Sequence, residues 1–257
     1  MYEPKQFWWQ KEKDAHRDIF DAVQTLVDDQ DYHGDDNLNW LRLFQNKNSS
    51  GLTMDTYSRF AGSRSENVTL NIVHSMCTTV TSKIAKNRPK VTFLTSGGDY
   101  SLKRKAKLLD KYCNGQFYAT DIYTVAPKVF LDACVFGTGV MKIYANDNGM
   151  QCDRIFPNEI IVDDAESFYG EPRQMFQRKV VSREVLMAEY PEFEKEILNA
   201  TKAEYGNTGE SITSNQVECV EAWHLASAKG ASDGRHVICI DNVTLVDEPY
   251  DKDFFPF

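Results

Sequence analysis

Two glycines, Gly137 and Gly139, mark the place where this chain changes period. Before them Val129, Ala133 and Phe136 recur at helical spacing; after them Val140 to Tyr144 reads as a strand. Asn146-Asp147-Asn148-Gly149 is a turn, because Asn, Asp and Gly accept the positive φ of a tight hairpin, and Gln151 to Phe156 is the return strand. Pro157 has no N–H for a ladder and ends that strand. Ile160 to Val162 is a short apolar run that enters the acidic corner Asp163, Asp164 and Glu166. A helix handing over directly to a hairpin points to an α+β fold, with several long amphipathic helices packed on small antiparallel β-sheets.

The flanks fit that class. Ile19, Val23 and Leu26 predict an amphipathic helix over 9–30, and Leu38, Leu41 and Leu43 a second short one. Leu70, Val73, Cys77, Val80 and Ile84 form one stripe expected to face inward, on a helix with Ser65 as N-cap that ends at Asn87-Arg88-Pro89. Val91 to Leu94 reads as a strand. Asp99 is placed to cap a helix to about Thr120, with Leu102, Ala106, Leu109, Cys113 and Phe117 inward. The next helix runs from Tyr123 to Phe136, with Pro127 tolerated in its first turn. Arg173 to Val181 alternates as a strand, Ser182 caps a helix, and Pro191 to Ala200 continues as a second helical piece. Residues 206–215 are small, polar and linker-like. Three further strands, 217–226, 236–240 and 243–246, turn at Asp233-Gly234 and Asp241-Asn242. The expected division is a helical segment over 1–64 and an α+β core over 65–257.

The ordered set of segments resembles the N-terminal part of tailed-bacteriophage portal proteins. SKIAKNRPKVTFLTSGGDYSLKRKAKLLDKY (82–112), DACVFGTG (132–139) and FPNEIIVDDAESFYGEPRQ (156–174) carry the likeness, which covers residues 65 to 190 best. The resemblance implies a wing-like portion of a head-to-tail connector, with the stem, clip and crown of the family lacking a counterpart before residue 257. It further implies a dodecameric ring at one capsid vertex that conducts double-stranded DNA. Its partners would be copies of itself, the terminase large subunit, head-completion or tail adaptor proteins and the capsid protein. The protein would be made in the host bacterial cytoplasm and reside in the virion.

Signals for chemistry are thin. Gly137-Thr138-Gly139 follows a helix and precedes a strand, the reverse of a dinucleotide-binding turn, and no phosphate-binding loop motif occurs. Asp163, Asp164 and Glu166 could hold a hard cation, but a metal-dependent nuclease needs a second carboxylate two residues before its lysine. Gln177 stands there before Lys179. An acidic turn capping Ser167 and pairing with Arg173 is the plainer reading. His16, His33, His74, His224 and His236 show no zinc spacing. The six cysteines lack a CxxC pair and read as reduced apolar residues. No catalytic, cofactor or metal residue is expected.

Two features suggest contacts instead. Lys103, Lys107 and Lys111 line one helix face beside Arg104: a solvated face, a subunit or partner contact, or a nucleic-acid contact. Aromatics interleaved with these cations, as in single-strand binders, are missing along the sequence. Trp8 and Trp9, next to Phe7, fit either a plug into the chain's own core or an interface, the second being favoured. The net charge of −9 argues against a free-standing DNA binder, whose affinity comes from counterion release, and suits a conduit past which DNA slides. No apolar run is long enough to span a bilayer, so no membrane role is expected. The expectation is therefore a structural ring subunit. A metal-dependent phage nuclease and a helical adaptor or scaffold protein are the alternatives.

Overall fold

The computed structural model describes residues 7–11, 14–46, 70–88, 90–146, 149–170, 172–202 and 215–257. The chain forms two compact units, Met1–Asp31 with Asn158–Phe255, and Tyr32–Pro157 with Pro256–Phe257. The boundary expected at residue 64, and all but Asn215 of the linker expected over 206–215, lie outside the described residues. The fold is α+β, as the patterning predicts.

The first unit is built on a five-stranded antiparallel sheet in sequential order: β3 (Ile160–Ile161), β4 (Gln174–Ser182), β5 (Gln216–His224), β6 (Arg235–Ile240) and β7 (Val243–Pro249). Both faces are covered, so its strands use both alternating sets of residues. On one face Phe176, Val220, Ala222, Val237 and Cys239 pack under α1 (Ala15–Asp29). The helix inserts Ala15, Ile19 and Val23, spaced one turn apart. On the other face Val217, Cys219 and Ile240 pack against Leu186 of α7 (Arg183–Glu189) and Ile197 of α8 (Glu194–Asn199). The side chain of Gln30, just past α1, donates to the Val162 carbonyl at 2.7 Å and to the Asp164 carboxylate at 2.9 Å. This fixes the start of α6 (Asp164–Tyr169).

The second unit is centred on α5 (Ile122–Phe136), whose sequence carries only Lys128 and Asp132 as charges. A helix apolar almost all round must be covered on several sides. It packs against α3 (Ile72–Ala85), α4 (Tyr100–Ala119) and the hairpin of β1 (Val140–Asn146) and β2 (Gly149–Ile155). α2 spans Asp31–Phe44.

Several expectations are corrected. The helix expected from Ser65 starts at Ile72 instead, with the Asn71 side chain accepting from the His74 N–H at 2.9 Å. No residue of this α3 is buried, so the Leu70–Ile84 stripe does not line a core. On α4 only Ala106 of the inward set is buried. Val91 to Leu94 forms no strand, because among the described residues no strand runs beside it. The Phe93 N–H donates instead to the Asp110 carboxylate of α4, at 2.7 Å. α5 begins at Ile122, which puts Pro127 beyond its first turn, inside the helix. β5 and β6 are joined by a longer loop than one Asp-Gly turn. Asp233 accepts there from the Ser227 N–H at 2.9 Å.

Candidate interaction surface

The Gly137-Thr138-Gly139 segment does two separate jobs. Gly137 ends α5 at φ 81°, a left-handed conformation that glycine adopts without a Cβ penalty, and its N–H donates to the Ala133 carbonyl at 3.0 Å. Gly139 starts the hairpin against the helix: a Cβ there would lie 2.2 Å from the Val129 carbonyl oxygen. The hairpin is then clamped to α5 by an ion pair. Arg154 of β2 donates two parallel bonds, each of 2.5 Å, to the Asp132 carboxylate, which is 3% exposed. Phe136 packs edge-on against Phe156. The pairing also holds the Arg154 guanidinium protonated to higher pH than usual, first through its hydrogen bond to Asp132. DACVFGTG thus codes for a helix stop, a close approach and an ionic clamp.

The clamp yields a measurable expectation. Asp132→Ala leaves Arg154 unpaired, but the Arg154 side chain is 42% exposed and regains water. The cost should therefore be about 2–3 kcal/mol, under the 3–5 of a fully buried pair. The urea midpoint should fall with the slope unchanged.

The acidic corner is committed to local structure. Asp163 caps α6 by accepting from the Ala165 N–H at 2.8 Å, and Glu166 accepts from the Arg173 N–H at 3.0 Å. The corner meets Arg173 through that backbone N–H, and not through the side-chain ion pair expected of it. Among the described residues no three His, Cys, Asp or Glu side chains converge as metal ligands. All six cysteines are free, and Cys152, Cys219 and Cys239 are buried.

Two histidines missed as a pair by sequence reading titrate in opposite directions. His236 lies between two carboxylates, at 3.0 Å from Glu221 and 2.8 Å from Glu248, and stacks on Trp223. Burial pulls its pKa down, but the two hydrogen bonds and charges outweigh it and raise it overall. His224 stacks on Trp9 at 4.2 Å, and its Nδ1 faces the Asp233 carbonyl at 3.0 Å. Burial lowers its pKa against the smaller pull of that bond. The stability His236 supplies is therefore complete below the unfolded value of about 6.5 and lost as pH rises through its folded pKa. His224 costs stability as pH falls below about 6.5, where the unfolded chain takes the proton first. Stability measured across pH should lose its alkaline-side fall in His236→Gln and its acid-side fall in His224→Gln.

The expected contact residues divide. Trp8 is 3% exposed, inside the core under α1, and its indole N–H donates to the Gln174 side chain at 3.3 Å. This corrects the reading of Trp8 as a partner contact. Burial against Phe176 is available within its own unit and needs no neighbour. Trp9 is half-buried between Phe7 and His224. Lys103, Arg104, Lys107 and Lys111 are all exposed along α4. The loop before the helix brings Phe93, and the first turn of the helix Tyr100, to the same groove of about 380 Å³ as Lys103, Arg104 and Lys107. Aromatics do accompany the cations, and only folding brings Phe93 there. A family model described as phage P22-like portal protein matches residues 42–241, more than half of the chain.

The chain belongs to the P22-like phage portal protein family. None of the curated proteins compared with it matches. The portal match takes in α4 with its cations, the clamped hairpin and the sheet to the end of β6, while Trp8, Trp9 and α1 precede it. The family is a structural one, a component of phage particles. No helix among the described residues of this portal-family chain is long and apolar enough to cross a membrane.

Proposed function

We propose that the chain is one subunit of a ring at a single capsid vertex, through which double-stranded DNA is packaged and later ejected. The match to the portal family over residues 42–241 is the observation that carries this reading. The ring would be a dodecamer of identical copies, docking the terminase large subunit during packaging and head-completion or tail adaptor proteins afterwards, and seated in the capsid protein shell. Residues 65–257 would form its wing-like core. The subunit would be made in the bacterial host and end in the virion. It would work by shape, with no bond made or broken.

Physical features support the reading. Met76 is 65% exposed on α3 and Leu108 58% exposed on α4. Ile72, Val80, Ile84 and Leu109 add to the apolar surface of the two helices. Burying apolar area is worth roughly 25 cal/mol per Å², and monomers rarely leave large contiguous patches uncovered. Heterologous contacts between identical copies cover such surfaces and close into rings when the rotation closes. The net charge of −9 fits a conduit past which DNA moves without sticking.

Native mass spectrometry and negative-stain imaging of the purified chain test the proposal. Closed rings with an axial channel are expected. A globular monomer that cleaves DNA with a divalent cation, and loses that activity on Asp164→Ala, would sink it.

A further inference from the structure

We propose that the groove along α4 receives the Tyr250–Phe255 segment of a second copy of this chain. The proposal rests on the ring reading above and names one of its contacts. Three cations, Lys103, Arg104 and Lys107, line the groove with Phe93, Tyr100 and one carboxylate, Asp110, which accepts from the Phe93 N–H. None of the three cations has an ion-pair partner among the described residues. Cations one turn apart on a helix repel each other, and an ordered anion between them relieves that repulsion. Tyr100 is 80% exposed, so the groove also offers an uncovered ring. A fitting ligand carries carboxylates next to an apolar side chain.

The chain displays such a ligand. Asp251 and Asp253 are exposed and have no hydrogen bond or ion pair among the described residues. The adjoining Phe254 is 59% exposed. The acidic corner is a poorer candidate, because Asp163, Asp164 and Glu166 already accept from Ala165, Gln30 and Arg173. The spacing also agrees. Residues two apart on an extended chain are separated by at most about 7 Å, and residues four apart on a helix rise by about 6 Å. Asp251 and Asp253 can therefore face Lys103 and Lys107 together. The chain bends at Asp253 and Phe254, where the Tyr250 hydroxyl donates to the Phe254 carbonyl at 2.8 Å. Phe254 is therefore not held to the face opposite the two carboxylates and reaches the rings of Phe93 and Tyr100, with Arg104 beside them. Groove and segment are different surfaces, so each copy gives one and receives one, which is the head-to-tail geometry of a closed ring.

Charge reversal on the full chain tests the contact by sedimentation velocity. Lys103→Glu with Lys107→Glu, and separately Asp251→Lys with Asp253→Lys, should each weaken self-association by about tenfold or more. An equimolar mixture of the two variants should recover it. Each reversed groove then meets a reversed segment, and each native groove a native one, in alternation around the ring. That recovery also shows both variants to be folded. Phe254→Ser should weaken assembly while leaving its salt dependence in place. Reversed variants that assemble like the parent overturn the contact and leave the ring reading standing. A parent chain without self-association overturns it as well. So does a groove variant that loses only binding to a duplex oligonucleotide, since the cations would then serve nucleic acid.

Discussion

Replacing Arg183 with alanine should remove about 3–5 kcal/mol of stability, as much as truncating a fully buried aromatic side chain. Arg183 is 4% exposed. Its guanidinium reaches from the start of α7 to the end of α8. There Nη1 donates to the carbonyls of Ile197, at 2.7 Å, and Leu198, and Nη2 to that of Ala200, at 3.0 Å. The last carbonyls of a helix have no intrahelical donors, and a cation there also opposes the negative end of the dipole. Removing the side chain strands the Leu198 and Ala200 carbonyls beside the cluster of Leu186, Ile197 and Val217, while the Ile197 carbonyl keeps the Ala200 N–H at 3.4 Å. Each buried acceptor left unpaired costs about 1–3 kcal/mol, partly offset where water enters. Arg183→Lys should cost about half as much, because one ammonium cannot fork to three acceptors. Hydrogen exchange of the β4 and β5 amides reports the loss. Exchange in Arg183→Ala indistinguishable from the parent would show that the cap stabilises little.

Arg183 also shows where sequence reading stops. Leu186, Ile197 and Val217 follow helical or alternating periods, so the cluster they join is visible before folding. An arginine after a serine at a helix start reads as a solvated residue. Its role depends on α8 returning beside it, which no local pattern encodes. The hairpin was legible because Asn146, Gly149 and Pro157 each impose a local backbone requirement. The clamp of Asp132 on Arg154 was not, since it needs the hairpin's register on the helix. The stripe on α3 misled for another reason. Period tells which residues share a face, and an apolar face can be kept for a neighbouring copy as well as for the core. Val91 to Leu94 failed similarly: a strand needs a partner, and β-propensity alone supplies none. Trp8 erred the other way. Adjacent aromatics suggest an interface, but the sheet under α1 had room for one of them.

Gly139→Ala should cost about 3 kcal/mol, at the top of the range for overpacking, although it adds only one methyl group. The added carbon would lie 2.2 Å from the Val129 carbonyl oxygen and 3.0 Å from Val129 Cγ1. The nearer atom is backbone in the middle of α5, so no rotamer change relieves the clash. Relief requires β1 to lift from the helix, which strains the Asp132–Arg154 bonds about one turn away. Two other glycines separate this cause from the general effect of losing a glycine. Gly137→Ala meets no atom within 4 Å but must hold φ 81°, so it should cost about 1–2 kcal/mol, from conformation alone. Gly115→Ala lies inside α4 with open space around it and should gain about 0.5–1 kcal/mol, from helix propensity. Urea midpoints of the three variants should therefore fall in the order 115, 137, 139. If Gly139→Ala matched Gly137→Ala, the hairpin would be free to move off its helix. The motif would then be a simple helix stop, and not the close-packed joint that sets where the hairpin stands.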